Sequence, residues 1–445
     1  MPDASRDASR AIAPNSHASS DTDSLTDVRA RDAADPLGRF RDRFYVQPGV
    51  TYLDGNSLGL LSRDAETAVL NALESWKQHG VEGWMAADPP WFTLGEALGA
   101  RLAALMGTSP EQIVVTGTTT TNLHQMVGTF YRPEGGRRTI VATSLDFPSD
   151  VYALQGQIRL RGGNPDADLV LVPSRDGRTI ATDDVIAAID ETVALVLMPS
   201  VLYRSGQLLD IAAIAEAAHA RGAMMGIDCC HSAGAIPHAL DAWDVDFAFW
   251  CTYKYLNAGP GAIGALYVNP RHADAIPALP GWWGYRKDRQ FAMAHDWEGA
   301  SGAGAYQIST IPLLSAAPLL GALAIHEEAG IEAIRAKSLA QTDYLIGLIE
   351  AAGLTGAPYA YRIGTPRDHA VRGGHVAVEH DEARAISAVL RERGFIVDFR
   401  PPDVIRIAPV ALYTTYLDLW NVVQVLREIV ETGAHRSVES AGLVT

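Results

Sequence analysis

MGIDCCHSAGAIPHALDAWDVDFAFWCTYKYLNAGPGAIG, residues 225–264, contains two apolar runs that each lead into a charged residue. The first run ends at Asp228, and the second, residues 245–250, is followed by Lys254 and a loop rich in Gly and Pro. Short apolar runs bounded in this way are typical of buried β-strands. Open α/β sheets carry their functional groups at the C-terminal ends of the strands, so we expect Asp228 and Lys254 to lie near each other at one sheet edge.

An acid and a lysine in this arrangement form the pair that a pyridoxal phosphate (PLP) site needs. The lysine attaches to the cofactor, and the acid pairs with the pyridinium nitrogen so that the ring can accept electrons. The alternative is an ordinary surface lysine and a helix-capping aspartate after two core strands. Lys254 lies between two tyrosines and beside Gly and Pro, which is unusual for a solvated surface and favours the cofactor site.

The composition limits the classes of function. The 445 residues are 48% hydrophobic and 20% charged, which allows one or two large cores. A formal charge of −16 without a basic cluster argues against nucleic acids and anionic membranes as partners. No apolar run reaches the ~20 residues of a membrane span, and residues 1–21 lack the apolar core of a secretory signal.

Three cysteines, Cys229, Cys230 and Cys251, are too few for a disulfide framework and predict a reducing compartment, the cytoplasm. The run DCCH at residues 228–231 resembles a metal-binding motif. Alternate residues of a strand face opposite ways, so these side chains would not converge on one ion, and we expect no metal site.

Short apolar runs alternate with helical patterns over much of the chain, which predicts a mainly parallel sheet with helices on both faces. Besides the two runs above, we expect strands at 113–115, 139–142, 169–172, 194–198 and 266–268, and helices at 63–80, 94–106, 182–189 and 211–221. A long helical segment at 312–328 leads into a smaller unit. We expect its helices near 331–352, 382–394 and 415–432, and its strands near 374–379, 395–399 and 404–408. The predicted fold class is α/β, a large domain followed by a smaller α+β C-terminal domain.

Four segments follow from this division. Residues 1–35 contain too few large apolar groups to fold alone and predict a disordered tail. The large cofactor-binding domain is expected at 36–315, with an N-terminal arm at 36–62. The small domain is expected at 316–435, followed by a flexible tail at 436–445.

Three other motifs have both a functional and a plain structural interpretation. Residues 54–59 (DGNSLG) form either a simple turn or a loop whose glycines let the backbone approach a ligand. Residues 116–122 (TGTTTTN) start a helix after a strand, where hydroxyls and free N–H groups can bind phosphate, although threonines are also good N-caps. Arg406, inside the apolar run 404–409, needs a partner, either a substrate carboxylate or a structural salt bridge.

Together these motifs resemble the kynureninase family, PLP enzymes of fold type I, the aspartate-aminotransferase-like fold. The resemblance extends from about residue 35 to about residue 432. The similar segments are 52–60 (YLDGNSLGL), 147–150 (FPSD), 228–231 (DCCH), 252–257 (TYKYLN), 281–284 (GWWG), 406–409 (RIAP) and 412–413 (LY).

The resemblance implies hydrolysis of the Cβ–Cγ bond of L-kynurenine to anthranilate and L-alanine. The implied catalytic residues are Lys254, which attaches PLP and moves protons, Asp228, which pairs with the ring nitrogen, and Tyr253, which donates a proton or only binds the phosphate. The implied cofactor-binding residues are Thr119, Thr120, Phe147 (stacked on the ring), Asp150, Asp228, His231, Tyr253, Lys254, Trp282 and Thr310. The implied substrate-binding residues are Ser57, Trp84, Tyr285, Thr310 and Arg406, which would hold the α-carboxylate. In the family, Trp282 and Thr310 match residues that reach the cofactor from a second subunit, which implies a homodimer with a shared site.

Two positions depart from the family pattern. Tyr285 stands where the family commonly has His, and Pro199 stands where a hydroxyl residue is usual, although Ser200 adjoins it. Trp84 and Thr310 match the bacterial pattern that prefers kynurenine over its 3-hydroxylated form. The departures leave open a related PLP hydrolase or lyase that acts on another β-acyl (γ-keto) amino acid in a biosynthetic pathway. A PLP-binding regulator without turnover is the alternative from another class.

Overall fold

The structure, a computed structural model, describes residues 24–438. The strands within this range are β1 (Thr51–Tyr52), β2 (Ile113–Val115), β3 (Thr139–Thr143), β4 (Leu169–Val172), β5 (Val193–Pro199), β6 (Met224–Asp228), β7 (Phe247–Cys251), β8 (Gly264–Val268), β9 (Arg362–Ile363), β10 (Val376–Glu379), β11 (Phe395–Ile396), β12 (Asp398–Arg400) and β13 (Val404–Ile407). The α-helices are α1 (Leu25–Ala33), α2 (Arg63–His79), α3 (Gly83–Ala86), α4 (Leu94–Met106), α5 (Thr119–Phe130), α6 (Pro148–Leu160), α7 (Pro165–Asp168), α8 (Thr182–Ala187), α9 (Ile211–Ala220), α10 (Leu313–Ala329), α11 (Ile331–Ala351), α12 (Ala383–Glu392) and α13 (Tyr416–Thr432).

Seven strands form the large sheet in the order β2-β8-β7-β6-β5-β3-β4. All neighbouring pairs are parallel except the two that involve β8, which confirms the predicted mainly parallel sheet. Strands β5 and β7 are buried along their whole length because helices cover both faces of the sheet, and this explains their continuous apolar sequence. Two apolar cores, one on each face, hold the sheet between its helices.

The register of the central strands places the predicted pair. Asp228, the last residue of β6, lies opposite Pro199 on β5 and Phe249 on β7. Lys254 follows the end of β7 by three residues, so both charged groups emerge at the C-terminal edge of adjacent parallel strands.

The C-terminal unit contains an antiparallel sheet, β12-β13-β10-β9, which packs with α11, α12 and α13 around its own apolar core. This confirms the smaller α+β unit. Strand β1 of the predicted N-terminal arm pairs with β11 of this unit. Helix α10 crosses the expected boundary at 315/316, and its residues Ala316, Leu319 and Leu323 join a core of the large sheet. Because one helix continues across the expected boundary, the limits of the large and small domains stay a prediction.

The predicted disordered tail is wrong for its C-terminal part, because residues 25–33 form helix α1. Ser24 and Asp27 make a capping box at its start, and Asp32 accepts the N–H groups of Tyr416 (2.7 Å) and Leu417 (3.1 Å) at the start of α13. Local composition does not reveal this long-range cap. Residues 1–23 lie outside the described range, as do residues 439–445. At the other end, Arg436 and Ser437 belong to a short 3₁₀-helix rather than to a tail.

No helix within residues 24–438 is long and hydrophobic enough to cross a bilayer.

Candidate active site

A cavity of about 200 Å³ lies at the C-terminal edge of β5, β6 and β7, where the small antiparallel sheet approaches the large one. Ten of the residues predicted for the site line it. They are Ser57, Thr119, Thr120, Phe147, Asp150, Asp228, His231, Tyr253, Lys254 and Arg406. The cavity therefore brings an amine, a carboxylate, a group of hydroxyls and a guanidinium together, although they come from distant parts of the sequence.

The Lys254 amine faces His231, with 2.9 Å between Nζ and Nε2. Burial, and then the charge of Lys254, lower the pKa of His231 well below its usual value, so the imidazole is neutral and can accept a hydrogen bond from Nζ. The backbone beside Lys254 is held by the predicted tight loop. Gly59 N–H donates to the Tyr253 carbonyl at 2.8 Å, and a Cβ at Gly59 would lie 2.5 Å from the Lys254 carbonyl. Gly59 thus lets the backbone of the 54–59 loop lie close to the backbone at Lys254.

Asp228 is fixed by the strand ends around it. The Cys230 N–H donates to Asp228 Oδ1 at 2.7 Å, and the Ser200 hydroxyl donates to the Asp228 carbonyl at 3.0 Å. Burial, and then the charge of Asp228, raise the pKa of Asp150 well above its usual range. The two carboxyl groups therefore lie close enough in this buried wall for the charge of one to disfavour ionisation of the other.

The hydroxyl end of the cavity is the start of helix α5. Thr118 is the N-cap residue but makes no side-chain capping bond, so the threonine side chains are not serving as a conventional cap. The Thr120 and Ser149 hydroxyls lie 2.9 Å apart. Free N–H groups of a first helical turn, together with these hydroxyls, suit a phosphate group.

Phe147 and Tyr253 border the same cavity. Phe147 is 44% exposed at the rim and meets the Tyr203 ring edge-on, with centroids 5.3 Å apart. Burial raises the pKa of Tyr253, so its phenol keeps its proton throughout the physiological range. Phe147 is thus available to stack on a planar ligand, and Tyr253 is available as a proton donor.

Arg406 enters the cavity from β13 and is 1% exposed. Its guanidinium contacts the Asp398 carboxylate and donates to Ser57 Oγ at 2.9 Å and to the Tyr203 carbonyl at 2.8 Å. The structural salt bridge considered from the sequence is therefore present, and Arg406 also faces the cavity.

Sequence reasoning missed several residues of the cavity wall, namely Asn56, Tyr203, Cys230 and Arg400, and the buried Asp398 behind it. The alternation Asp398-Phe399-Arg400 was a usable signal, because residues two apart in a strand share a face. Cys229 and Cys230, which follow the end of β6, are both buried in the core on one face of the sheet, and Cys230 also lines the cavity. Within residues 24–438 no group of three or more His, Cys, Asp or Glu is arranged to hold a metal ion.

Four predicted residues, Trp84, Trp282, Tyr285 and Thr310, lie outside the cavity of their own chain. The indole of Trp283, which is buried, lies 5.3 Å from that of Trp84 and 5.8 Å from that of Trp282. Trp282 and Thr310 are exposed, and Tyr285 is buried with no hydrogen-bonding partner for its hydroxyl among the described residues.

Comparison with known proteins decides the family. Residues 334–426 match the model of the kynureninase C-terminal domain. A kynureninase of Geobacillus thermodenitrificans is 52% identical over 404 residues, which cover 91% of this chain and 94% of that protein. The chain belongs to the kynureninase family. A kynureninase of Bacillus mycoides is also 52% identical, over 92% of this chain and 95% of its own length.

Solved structures agree on the fold of this kynureninase-family chain. A cysteine desulfurase from Thermococcus onnurineus NA1 superposes with a TM-score of 0.75 at 18% identity, covering 88% of this chain and 98% of the desulfurase. A mutant of C-DES with glycine covalently linked to its PLP cofactor superposes with a TM-score of 0.73 at 20% identity, covering 87% and 98%. At these identities the likeness supports the fold alone.

The cavity fits the cofactor of the kynureninase family. PLP requires an amine for attachment, a carboxylate for its ring nitrogen, a flat contact for the ring and donors for its phosphate. Lys254, Asp228, Phe147 and the start of α5 line one cavity and carry groups of these four kinds, so they would hold the cofactor there. The orphaned Nδ1 of His231, buried without a partner among the described residues, is a further polar group that a ligand or water would satisfy.

The two departures from the kynureninase pattern differ in their consequences. Pro199 lines the cavity, so the usual hydroxyl is missing there. Ser200 does not replace it, because its hydroxyl is turned to Ser232 (2.6 Å) and to the Asp228 carbonyl. Tyr285 lies outside the cavity of its own chain.

Proposed function

We propose that the chain is a kynureninase that hydrolyses the Cβ–Cγ bond of L-kynurenine to anthranilate and L-alanine with PLP. The observation that carries this proposal is 52% identity to kynureninases over 91% of the chain. The placement of Lys254 and Asp228 on one cavity supports it independently.

Lys254 is the base and proton carrier in this reaction. When bound, PLP supplies an electron sink for the bonds at the substrate α-carbon. The Lys254 amine removes the α-proton, and the neutral imidazole of His231, 2.9 Å away, holds the amine in place. Asp228 would pair with the ring nitrogen of the bound cofactor and favour its protonated form.

Tyr253 is the proposed donor of the proton that completes alanine. Water adds to the γ-carbonyl carbon, the Cβ–Cγ bond breaks, and the water oxygen remains in the new carboxylate of anthranilate. The β-carbon then takes a proton, and the Tyr253 phenol has one to give because burial raises its pKa. A role limited to a hydrogen bond with the phosphate is the alternative.

Arg406 is the proposed anchor of the substrate α-carboxylate. It is buried at the cavity wall, and its Nε has no hydrogen-bonding partner among the described residues. A carboxylate oxygen would satisfy this donor. Ser57, which accepts from Arg406 Nη2, lies at the same end of the cavity.

We also propose a homodimer in which a second copy supplies Trp282 and Thr310 to each cavity. Their position outside their own chain's cavity supports this arrangement. Large apolar side chains are also exposed along α2, at Leu70, Leu73 and Trp76, and near the aromatic group, at Met85 and Phe291. An apolar surface of this kind is typical of an interface.

The proposed compartment is the cytoplasm. The three cysteines are free and buried, which fits a reducing environment.

The test of the activity is product analysis after L-kynurenine is added to the PLP-loaded protein. We expect anthranilate and L-alanine in equal amounts, and slower turnover of 3-hydroxykynurenine. Absence of anthranilate, with release of another product from a different γ-keto amino acid, would replace the proposed substrate. Binding without any product would favour a regulator.

A further inference from the structure

The carboxylate end of the cavity contains a second arginine that has no role in the reaction described above. Arg400 lines the cavity together with Arg406. The two residues lie on adjacent antiparallel strands, where Asp398 is directly opposite Arg406 and Arg400 is two residues further along β12. Residues two apart in a strand share a face, so Asp398, Arg400 and Arg406 project from the same side of the small sheet.

One buried carboxylate holds both guanidinium groups. Asp398 Oδ2 contacts Arg406 Nη2 and lies 3.0 Å from Arg400 Nη2. The Asp398 side chain is completely buried, whereas the Arg400 side chain is one-quarter exposed. The shared oxygen therefore fixes the two arginines relative to each other and leaves part of Arg400 open to the cavity.

The two arginines have donors that the protein does not use. The Nε atoms of both Arg400 and Arg406 are buried and have no hydrogen-bonding partner among the described residues. A buried unpaired N–H costs about 1–3 kcal/mol, so a ligand oxygen or water is expected at these positions. Arg406 already gives hydrogen bonds to Asp398, Ser57 and the Tyr203 carbonyl, and it has correspondingly fewer donors left for a ligand.

We infer that Arg400 is a second guanidinium of the α-carboxylate subsite, and that Asp398 is the positioning residue that holds Arg400 and Arg406 against the cavity. A carboxylate has two oxygens and can accept hydrogen bonds from both arginines. The two arginines would therefore favour amino acids over their amides, which lack the carboxylate. The inference rests on the proposed role of Arg406.

The experiment measures ligand affinity of the PLP-loaded protein from the visible absorption of its cofactor. The two probes are L-alanine, a reaction product, and L-alaninamide, which has the same amine but no carboxylate. The variants are Arg400→Gln, Arg400→Lys, Arg406→Gln and Asp398→Asn. The matched control is Arg384→Gln. The Arg384 guanidinium lies over the ring of Phe399, and Phe399 projects from the face of β12 opposite to that of Asp398 and Arg400.

We expect Arg400→Gln to raise the Kd for L-alanine about tenfold or more, as for the loss of a charged hydrogen bond, and to leave the Kd for L-alaninamide within about twofold. Arg400→Lys should raise the Kd for L-alanine by an intermediate amount, since lysine keeps the positive charge but lacks the planar guanidinium that can donate two parallel hydrogen bonds. Asp398→Asn should reduce the preference for L-alanine over L-alaninamide. Arg384→Gln should change neither Kd.

Three results would overturn the inference. Arg400→Gln could leave both affinities unchanged, it could weaken both ligands equally, or it could chiefly weaken PLP itself, which would place the guanidinium at the phosphate. The Arg406→Gln variant shows whether the role of Arg400 alone is wrong or the proposed role of Arg406 as well. If both Arg400→Gln and Arg406→Gln keep the preference for L-alanine over L-alaninamide, the assignment of Arg406 is wrong too. If Arg406→Gln loses that preference and Arg400→Gln keeps it, only the role of Arg400 is wrong.

Discussion

Among single residues, Tyr253 is the proposed proton donor to the β-carbon. Its phenol borders the cavity next to Lys254, and burial raises its pKa. A tyrosine that keeps its proton at neutral pH can donate to the β-carbon and can equally well donate to a phosphate oxygen. The two roles predict different kinetic effects.

We expect Tyr253→Phe to lower kcat by about 100-fold or more, with KM nearly unchanged, because a general acid contributes only in the transition state. Steady-state kinetics with L-kynurenine would measure this. Because the raised pKa keeps the phenol protonated, the wild-type rate should show no alkaline decline from Tyr253 between pH 7 and about pH 9. A variant that keeps its kcat and binds PLP more weakly would restrict Tyr253 to the phosphate.

Among the elements, the tight loop at residues 54–59 has an unexpected partner. The sequence allowed either a simple turn or a close approach of its glycines to a ligand, and the close approach made by Gly59 is to the backbone of the lysine loop. This contact couples the N-terminal arm to the position of Lys254, because the Gly59 N–H donates a hydrogen bond to the carbonyl of Tyr253, the residue before Lys254.

We expect Gly59→Ala to weaken PLP binding at least several-fold, because its Cβ would lie 2.5 Å from the Lys254 carbonyl and would displace the loop. Titration of the apoprotein with PLP would measure this. The matched control is Gly347→Ala on the exposed face of α11, where a Cβ meets no atom within 4 Å. The control should bind PLP normally. Equal PLP affinity in both variants would contradict the coupling.

Helix α1 contributes a cap to helix α13. Asp32→Ala should destabilise the chain by about 1 kcal/mol, since the carboxylate accepts two N–H groups at the start of α13. Thermal unfolding would report this as a lower Tm, and Asp32→Asn, which keeps an acceptor oxygen, should lose less. An unchanged Tm in Asp32→Ala would show that α1 contributes no cap.

Local patterns predicted most elements, and long-range contacts explain the failures. Helix α4 and strands β2 and β4 begin and end where their apolar spacing predicted. Helix α1 was missed because Val28 is its sole buried residue and its stability comes from a contact nearly 400 positions away. Arg400 and Asp398 were missed for a related reason, because pairing between β12 and β13 makes them neighbours of Arg406.

In the whole molecule, the cavity lies between the large sheet and the small sheet, and in the proposed dimer a second copy of the chain completes it. The large sheet supplies Lys254 and Asp228, and the small sheet supplies Arg406. In the proposed dimer, the second copy supplies Trp282 and Thr310. This arrangement makes activity depend on residues of both subunits.

We expect Lys254→Ala and Trp282→Ala each to lose activity alone, and activity to return when the two proteins are unfolded together and refolded as a mixture. One site of each mixed dimer then has both residues, so random pairing restores up to about a quarter of the wild-type activity. Mixing Lys254→Ala with Arg406→Ala is the matched control. It should restore nothing, because Lys254 and Arg406 belong to the same chain's cavity. Equal recovery in both mixtures would contradict the shared site.

The attachment of PLP to Lys254, opposite Asp228, is tested by borohydride reduction of the loaded protein. After digestion and mass spectrometry, we expect a phosphopyridoxyl mass increment on the peptide containing Lys254, and no such peptide from Lys254→Ala. An increment on another lysine, such as Lys287, or a protein that fails to take up PLP, would contradict it.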